Sequence, residues 1–171
     1  MGILSPIYAK ALAVRVIPKV AEGLAGELRL KEGQHSVGII TADNDDALYV
    51  SIDEATKMAD VEVVYAHSFY AGAKHSSGLL SGEIIAMIAG PDPSEVKSGL
   101  HAAVQYLENN ALWYSANIED SIAFFPHVIS RTGSYLSKIC NIAVGDPIAY
   151  LIAPPLEGIM GLDAALKEAD V

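Results

Sequence analysis

Only one cysteine, Cys140, occurs in the chain's 171 residues. A secreted domain stapled by disulfides would carry an even set at framework spacings, so the sequence predicts a cytoplasmic protein in which Cys140 is an inert, buried thiol. Basic residues are scarce as well: 11 Lys and Arg stand against 21 Asp and Glu, for a net charge of −10. Phosphate recognition needs a basic face, which excludes nucleic acid as a partner. Long apolar runs are missing too. The longest, Ile84 to Ala89 and Ile148 to Ala153, fall far short of the roughly 18 residues of a bilayer span. No basic segment leads into an apolar core and a small-residue cleavage site, so neither export nor a membrane is expected. What the chain has in quantity is apolar side chain, 51% of its residues against 19% charged. That suffices for a globular core and exceeds what one domain of this length needs, which points to oligomer interfaces.

The segment Asp53-Glu-Ala-Thr-Lys-Met-Ala-Asp-Val61 recurs as Asp163-Ala-Ala-Leu-Lys-Glu-Ala-Asp-Val171, an offset of 110. Without a gap, the same offset aligns Ser36 to Ala42 with Asp146 to Ile152, and Leu12-Ala13-Val14 with Ile122-Ala123-Phe124. A repeat of this length is a whole domain, so the chain reads as a tandem duplication with units at 1–110 and 111–171. The second unit stops at the residue matching Val61. Its missing half predicts either that the protein continues or that it relies on a partner to cover an exposed sheet edge.

The first unit predicts strands at Ala11 to Val20 and Val37 to Ala42, a polar turn at Asp43 to Asp46, and a short helix from about Ile52 to Ala59. A strand at Glu62 to Ala71, a Gly/Ser loop at Gly72 to Gly82 and a strand at Glu83 to Ala89 follow. Asp92 reads as an N-cap with Pro93 in the first turn and Glu95 reaching back, and the helix beyond carries Val96, Leu100, Ala103, Val104 and Leu107 on one face. The order is β-β-α-β-β-α, an α+β layer backed by two helices.

The segments Ala42-Asp-Asn-Asp-Asp46, Asp53-Glu-Ala-Thr-Lys57, Val61-Glu-Val-Val-Tyr65, Ser68-Phe-Tyr-Ala-Gly72, Ser130-Arg-Thr-Gly-Ser-Tyr-Leu-Ser137 and Ala153-Pro-Pro-Leu-Glu157 resemble those of the tandem-domain shell proteins of the ethanolamine-utilisation microcompartment. The resemblance runs from Val14 to Val171. It implies a circularly permuted, ferredoxin-like microcompartment domain repeated twice, the second copy incomplete here. It also implies a homotrimer of hexagonal outline that tiles laterally with itself and with other shell proteins, and gated pores for small metabolites.

For the pore, the resemblance implies Asp45, Asp46, Glu83, Trp113 and Tyr114, around a small polar metabolite such as ethanolamine. Clustered carboxylates concentrate an ammonium-bearing solute and disfavour anions, and an aromatic face adds a cation–π contact. The competing reading of the acids is a solvated turn in which Asp46 caps a helix. Gly72, Gly78 and Gly82 are candidate hinges of a gating loop, against the alternative of a flexible surface loop. A small-ligand-binding regulatory module, with the acids as a sensor, is the other function compatible with these residues.

Enzymatic and metal chemistry find little support. Ser94-Glu95-Val96-Lys97 matches Ser-x-x-Lys, but capping explains it and no companion motif follows. Asp43, Asp45 and Glu54 fit positions 1, 3 and 12 of a calcium loop, yet Leu48 stands where glycine is required and Ala47 offers no ligand. His35, His67, His75, His101 and His127 lack zinc spacing. No catalytic residue, cofactor or dedicated metal site is expected.

Overall fold

The computed structural model of the chain describes residues 4–69, 82–119 and 121–169. β-Branched and apolar residues dominate β2 (Ala11–Ile17), β3 (Ser36–Ala42), β4 (Glu62–Ser68) and β5 (Ile84–Gly90), and these pair antiparallel in the order β2-β3-β5-β4. The register sets Ile40 opposite Ala86 and Val63 opposite Ile88. One face of the sheet is covered by α2 (Asp45–Met58) and α3 (Pro93–Asn109), which also pack on each other. Ile40, Leu48, Ile52, Ile84, Ile88, Val96 and Leu107 are fully buried between them. Each such side chain contributes about 1.5–3 kcal/mol by leaving water, so this layer is the main stabilising core.

A short helix, α1 (Glu22–Glu27), lies between β2 and β3 and buries no residue. Its glycines, Gly23 and Gly26, hide it from a propensity reading. The second unit consists of β6 (Trp113–Ser115), β7 (Ala123–Ile129), α4 (Ser134–Cys140), β8 (Ile148–Ile152) and α5 (Pro155–Glu168). Its sheet is completed from the far end of the chain by β1 (Pro6–Ile7), giving the order β1-β6-β7-β8. Residues at the start of the first unit therefore belong to the second unit's sheet.

Several expectations from sequence are corrected. Asn44, not Asp46, is the N-cap of α2, its Oδ1 accepting from the Ala47 N–H at 2.8 Å. The helix therefore starts seven residues before Ile52, and Asp45 and Asp46 form its first turn. Asp92 caps α3 as expected, accepting from Ser94 and Glu95 N–H groups at 2.7 and 3.1 Å. Glu95 does not reach back; its Oε2 accepts from the Asp60 N–H at 2.8 Å and ties the start of α3 to the α2–β4 connection. Cys140 is exposed, because α4 turns Leu136 and Ser137 inward and the cysteine ends the helix beyond them.

The two copies are also not aligned without gaps. α2 and α5 do repeat at 110, from Asp45–Met58 to Pro155–Glu168. Between the strands the spacing is 112. Left-handed Arg29 and Asn141 correspond, as do positive-φ Gly33 and Gly145. The hydrogen bond from Leu30 N–H to Ala25 O likewise returns as Ile142 N–H to Ser137 O. An unbroken offset of 110 would set Phe125 opposite Ala149, as Arg15 is opposite Ile39; Phe125 instead faces Ile152.

Two of the contacts that join the units are a ring cluster and a hydrogen-bonded grip. Phe125, fully buried, stacks on Trp113 and His127 and meets Tyr150 edge-on, with ring centroids 5.5, 5.1 and 5.8 Å away. Tyr106 of α3 reaches the same cluster, its hydroxyl 2.8 Å from His127 Nε2. At the other contact, α2 grips the Ser130–Ser137 motif. Asp53 is fully buried and accepts from the Gly133 and Leu136 N–H groups at 2.7 and 2.8 Å, satisfying two donors at the start of α4. Thr56 Oγ1 accepts from the Ser134 N–H at 3.0 Å, Lys57 Nζ donates to Arg131 O at 3.1 Å, and Tyr49 stacks on Tyr135.

Candidate functional site

Asn44 stops β3 and starts α2, and this junction gathers acids. Asp43 accepts from the Lys10 N–H at 2.7 Å, which holds the turn against the entry to β2. Asp45 uses Oδ1 for the Asp46 N–H at 2.9 Å and Oδ2 for the Ser68 hydroxyl at 2.7 Å, bracing the end of β4. Asp46 accepts a 2.6 Å hydrogen bond from the Tyr150 hydroxyl of β8, so the second unit contributes to the site. A carboxylate in the first helical turn is favoured by the exposed N–H groups and dipole there.

Glu83 enters from the opposite side. Gly82 has φ +62°, and a Cβ there would collide with Ala42 O, so only glycine brings the chain into β5 by this path. The path lets Glu83 N–H donate to Ala42 O at 2.9 Å while its own carbonyl accepts from the Phe69 N–H at 2.6 Å. The carboxyl is left beside Asp43, Asp45 and Asp46.

The electrostatics follow from that crowding. Burial, then the charges of Asp45, Asp43 and Asp46, raise the Glu83 carboxyl above its ordinary pKa. Asp46 is also raised, by burial first; the Tyr150 hydrogen bond opposes the shift and the Asp45 charge adds to it. The Asp45 and Asp46 carboxylates, after burial, raise the phenols of Tyr49 and Tyr150, and the Tyr150 hydroxyl is a neutral donor to Asp46. Among the described residues, no lysine or arginine forms an ion pair with Asp45, Asp46 or Glu83. Among the described residues, the cluster is a concentration of negative charge with no lysine or arginine paired to it.

Trp113 reaches the same junction through Asn44, and Tyr114 does not. The indole N–H donates to Asn44 Oδ1 at 3.0 Å, and the ring borders a 290 Å³ cavity that Tyr8, Asp43 and Asn44 also line. Tyr114 is the next residue of β6, so it points to the other face, against Phe124. Of the hinge candidates, Gly82 is fixed by the β3 backbone, and Gly72 and Gly78 lie outside the described residues. Among the described residues no cluster of three His, Cys, Asp or Glu side chains is placed to hold a metal ion.

Asn44, Ser68, Tyr49 and Tyr150 were not legible as site residues. Tyr150 is 104 positions from the carboxylate it meets, and it has no acidic or aromatic repeat to flag it. Asn44 alone carried a signal, since an Asn before two acids and an apolar run is an N-cap pattern.

The BMC domain pattern matches residues 36–120. Across the whole chain, the sequence is 52% identical to the bacterial microcompartment shell protein EutL of Salmonella typhimurium (strain LT2) and 50% identical to that of Escherichia coli K12, covering 78% of each. The chain belongs to the EutL family of bacterial microcompartment shell proteins. The crystal structure of EutL from Leptotrichia buccalis superposes with a TM-score of 0.93 at 54% identity, covering 99% of this chain and 78% of that one. The trimeric shell protein PduB, at 19% identity and a TM-score of 0.70, shares the fold. EutL proteins are structural wall components, so the site is to be understood as part of a shell protein and not of an enzyme. The α+β architecture of paired sheets and helices is that of the family.

Proposed function

We propose that this shell protein works as a trimeric tile whose acid cluster lines a small pore selective for cationic or neutral polar metabolites. The tile would lie in the microcompartment wall, joined laterally to further copies and to other shell proteins. The units are divided near Ala111, each contributing one corner to a hexagonal outline. The observation that carries the pore reading is the crowding of Asp45, Asp46 and Glu83, two of them with raised pKa and none of them paired with a lysine or arginine among the described residues.

An ammonium group entering there relieves the mutual repulsion, lowers the raised carboxyl pKa values and gains hydrogen bonds to charged acceptors. The hydroxyl of an amino alcohol finds polar partners in the same turn. Ethanolamine fits this chemistry, and the utilisation of ethanolamine appears in the name of the Leptotrichia relative. Anions are repelled by the same field. Replacing both acids, Asp45→Ala with Asp46→Ala, should abolish the calorimetric heat of ethanolamine binding to the protein; an unchanged affinity would remove these residues from the site.

A further inference from the structure

Three rings surround Phe125, and each of them holds a bond to the first unit. Trp113, 5.5 Å away, donates to Asn44 at 3.0 Å, and Tyr150, 5.8 Å away, donates to Asp46 at 2.6 Å. His127, stacked on Phe125 at 5.1 Å and 8°, has its Nε2 2.8 Å from the Tyr106 hydroxyl of α3. The first two bonds fix the start of α2, where the acids gather. The third belongs to a side chain whose ordinary pKa lies between pH 5 and 8.

Tyr106 decides the state of that histidine. Among the described residues its hydroxyl has no other hydrogen-bond partner, and burial, then the charges of Glu54 and Asp53, keep the phenol protonated. The hydroxyl proton therefore points at Nε2, so the imidazole is neutral and carries its own proton on Nδ1. A second ring proton has to enter the same 2.8 Å contact, and the hydroxyl must then turn away from its acceptor.

Nothing packed around the ring welcomes that charge. Lys57 of α2 opposes it, and the carboxylates of α2 are engaged: Glu54 pairs with Lys57, and Asp53 accepts from the Gly133 and Leu136 N–H groups. β8 sets the neutral phenol of Tyr150 opposite His127. Burial first, and Lys57 second, hold the imidazole below its ordinary pKa.

We propose that His127 is a pH-sensitive latch between the two units: neutral, it takes the Tyr106 hydroxyl and closes the ring cluster; protonated, it drops that bond and loosens the seat of Trp113 and Tyr150 on the start of α2. The latch does not depend on what occupies the acid site, but it ties the geometry of that site to pH. Its effect on stability has a definite sign. Between the ordinary histidine pKa and the lowered one the unfolded chain binds more protons than the folded one. The contribution is complete above the ordinary value and declines as pH falls through that window.

Trp113, the chain's single tryptophan, reports on the cluster through Phe125. Its emission in the purified protein, followed from about pH 8 to about pH 5, should show a transition with its midpoint below the ordinary histidine value. His127→Gln, whose amide oxygen still accepts from Tyr106 but takes no proton, should remove the transition and leave the circular dichroism at the upper pH unchanged. The acid site is intact in that variant, so a transition arising from its carboxylates would survive there. Tyr106→Phe removes the bond that favours the neutral ring, and the midpoint should rise by about 0.5–1 unit. No transition in the wild-type protein over this range, or one that persists unaltered in His127→Gln, overturns the latch. So does a midpoint that Tyr106→Phe leaves in place.

Discussion

At Gly133 there is no room for a side-chain atom. The Asp53 carbonyl would lie 2.5 Å and its Oδ1 2.8 Å from an added Cβ. Gly133→Ala should therefore cost about 1–3 kcal/mol, read as a fall in the thermal midpoint. Asp53→Ala removes the acceptor of two buried N–H groups and should cost a further order of about 1–3 kcal/mol for each donor left bare. Its repeat partner Asp163 is exposed and pairs with Lys167 at 2.5 Å, so Asp163→Ala should leave the same melt nearly unchanged. The acids of the site behave in the opposite way. Glu83 has a raised pKa, so the folded protein holds its proton more tightly than the unfolded chain. Between the ordinary carboxylate pKa and the raised one, the unfolded state binds fewer protons and stability falls as pH rises. Glu83→Gln should stabilise the protein at neutral pH, by less than about 1 kcal/mol after solvent screening, or up to ~4 °C. The gain should vanish below the ordinary glutamate pKa; melts at both pH values check it.

At the scale of elements, the start of α2 links stability to the site. Asn44 Oδ1 accepts from both the Ala47 N–H and the Trp113 indole. Asn44→Ala should cost about 1–2 kcal/mol through the lost cap. It should also shift the fluorescence of Trp113, the chain's single tryptophan, by freeing its N–H. α3 was legible in the sequence because Asp92, Pro93 and the Val96–Leu100–Ala103–Leu107 stripe all report the same helix. α2 was read too short, because Asp45 and Asp46 suit a turn as well as a first helical turn, and only Asn44's bond to Ala47 decides between them. β1 and β6 were not legible at all. Two or three residues have no period, and their pairing of Pro6 with Tyr114 spans most of the chain. Of the site, the acids were legible as a cluster; their partners Ser68 and Tyr150 arrive through tertiary packing. Trp113 and Tyr114 looked equivalent, and strand alternation separates them.

At the scale of the whole molecule, exposed apolar residues and the repeat belong to one explanation. Leu156, Ile159, Met160, Leu162 and Leu166 line α5 without cover among the described residues. α5 repeats α2, which is covered by α3, β4 and β5, and the second unit has no counterparts of these three elements among the described residues. The negative net charge gives the protein a surface that repels anions. Negative-stain microscopy of the purified protein is the most direct measurement of this account. Discs of hexagonal outline, or sheets packed from them, are the result it predicts; particles that stay small and never tile across salt and protein concentration would contradict it.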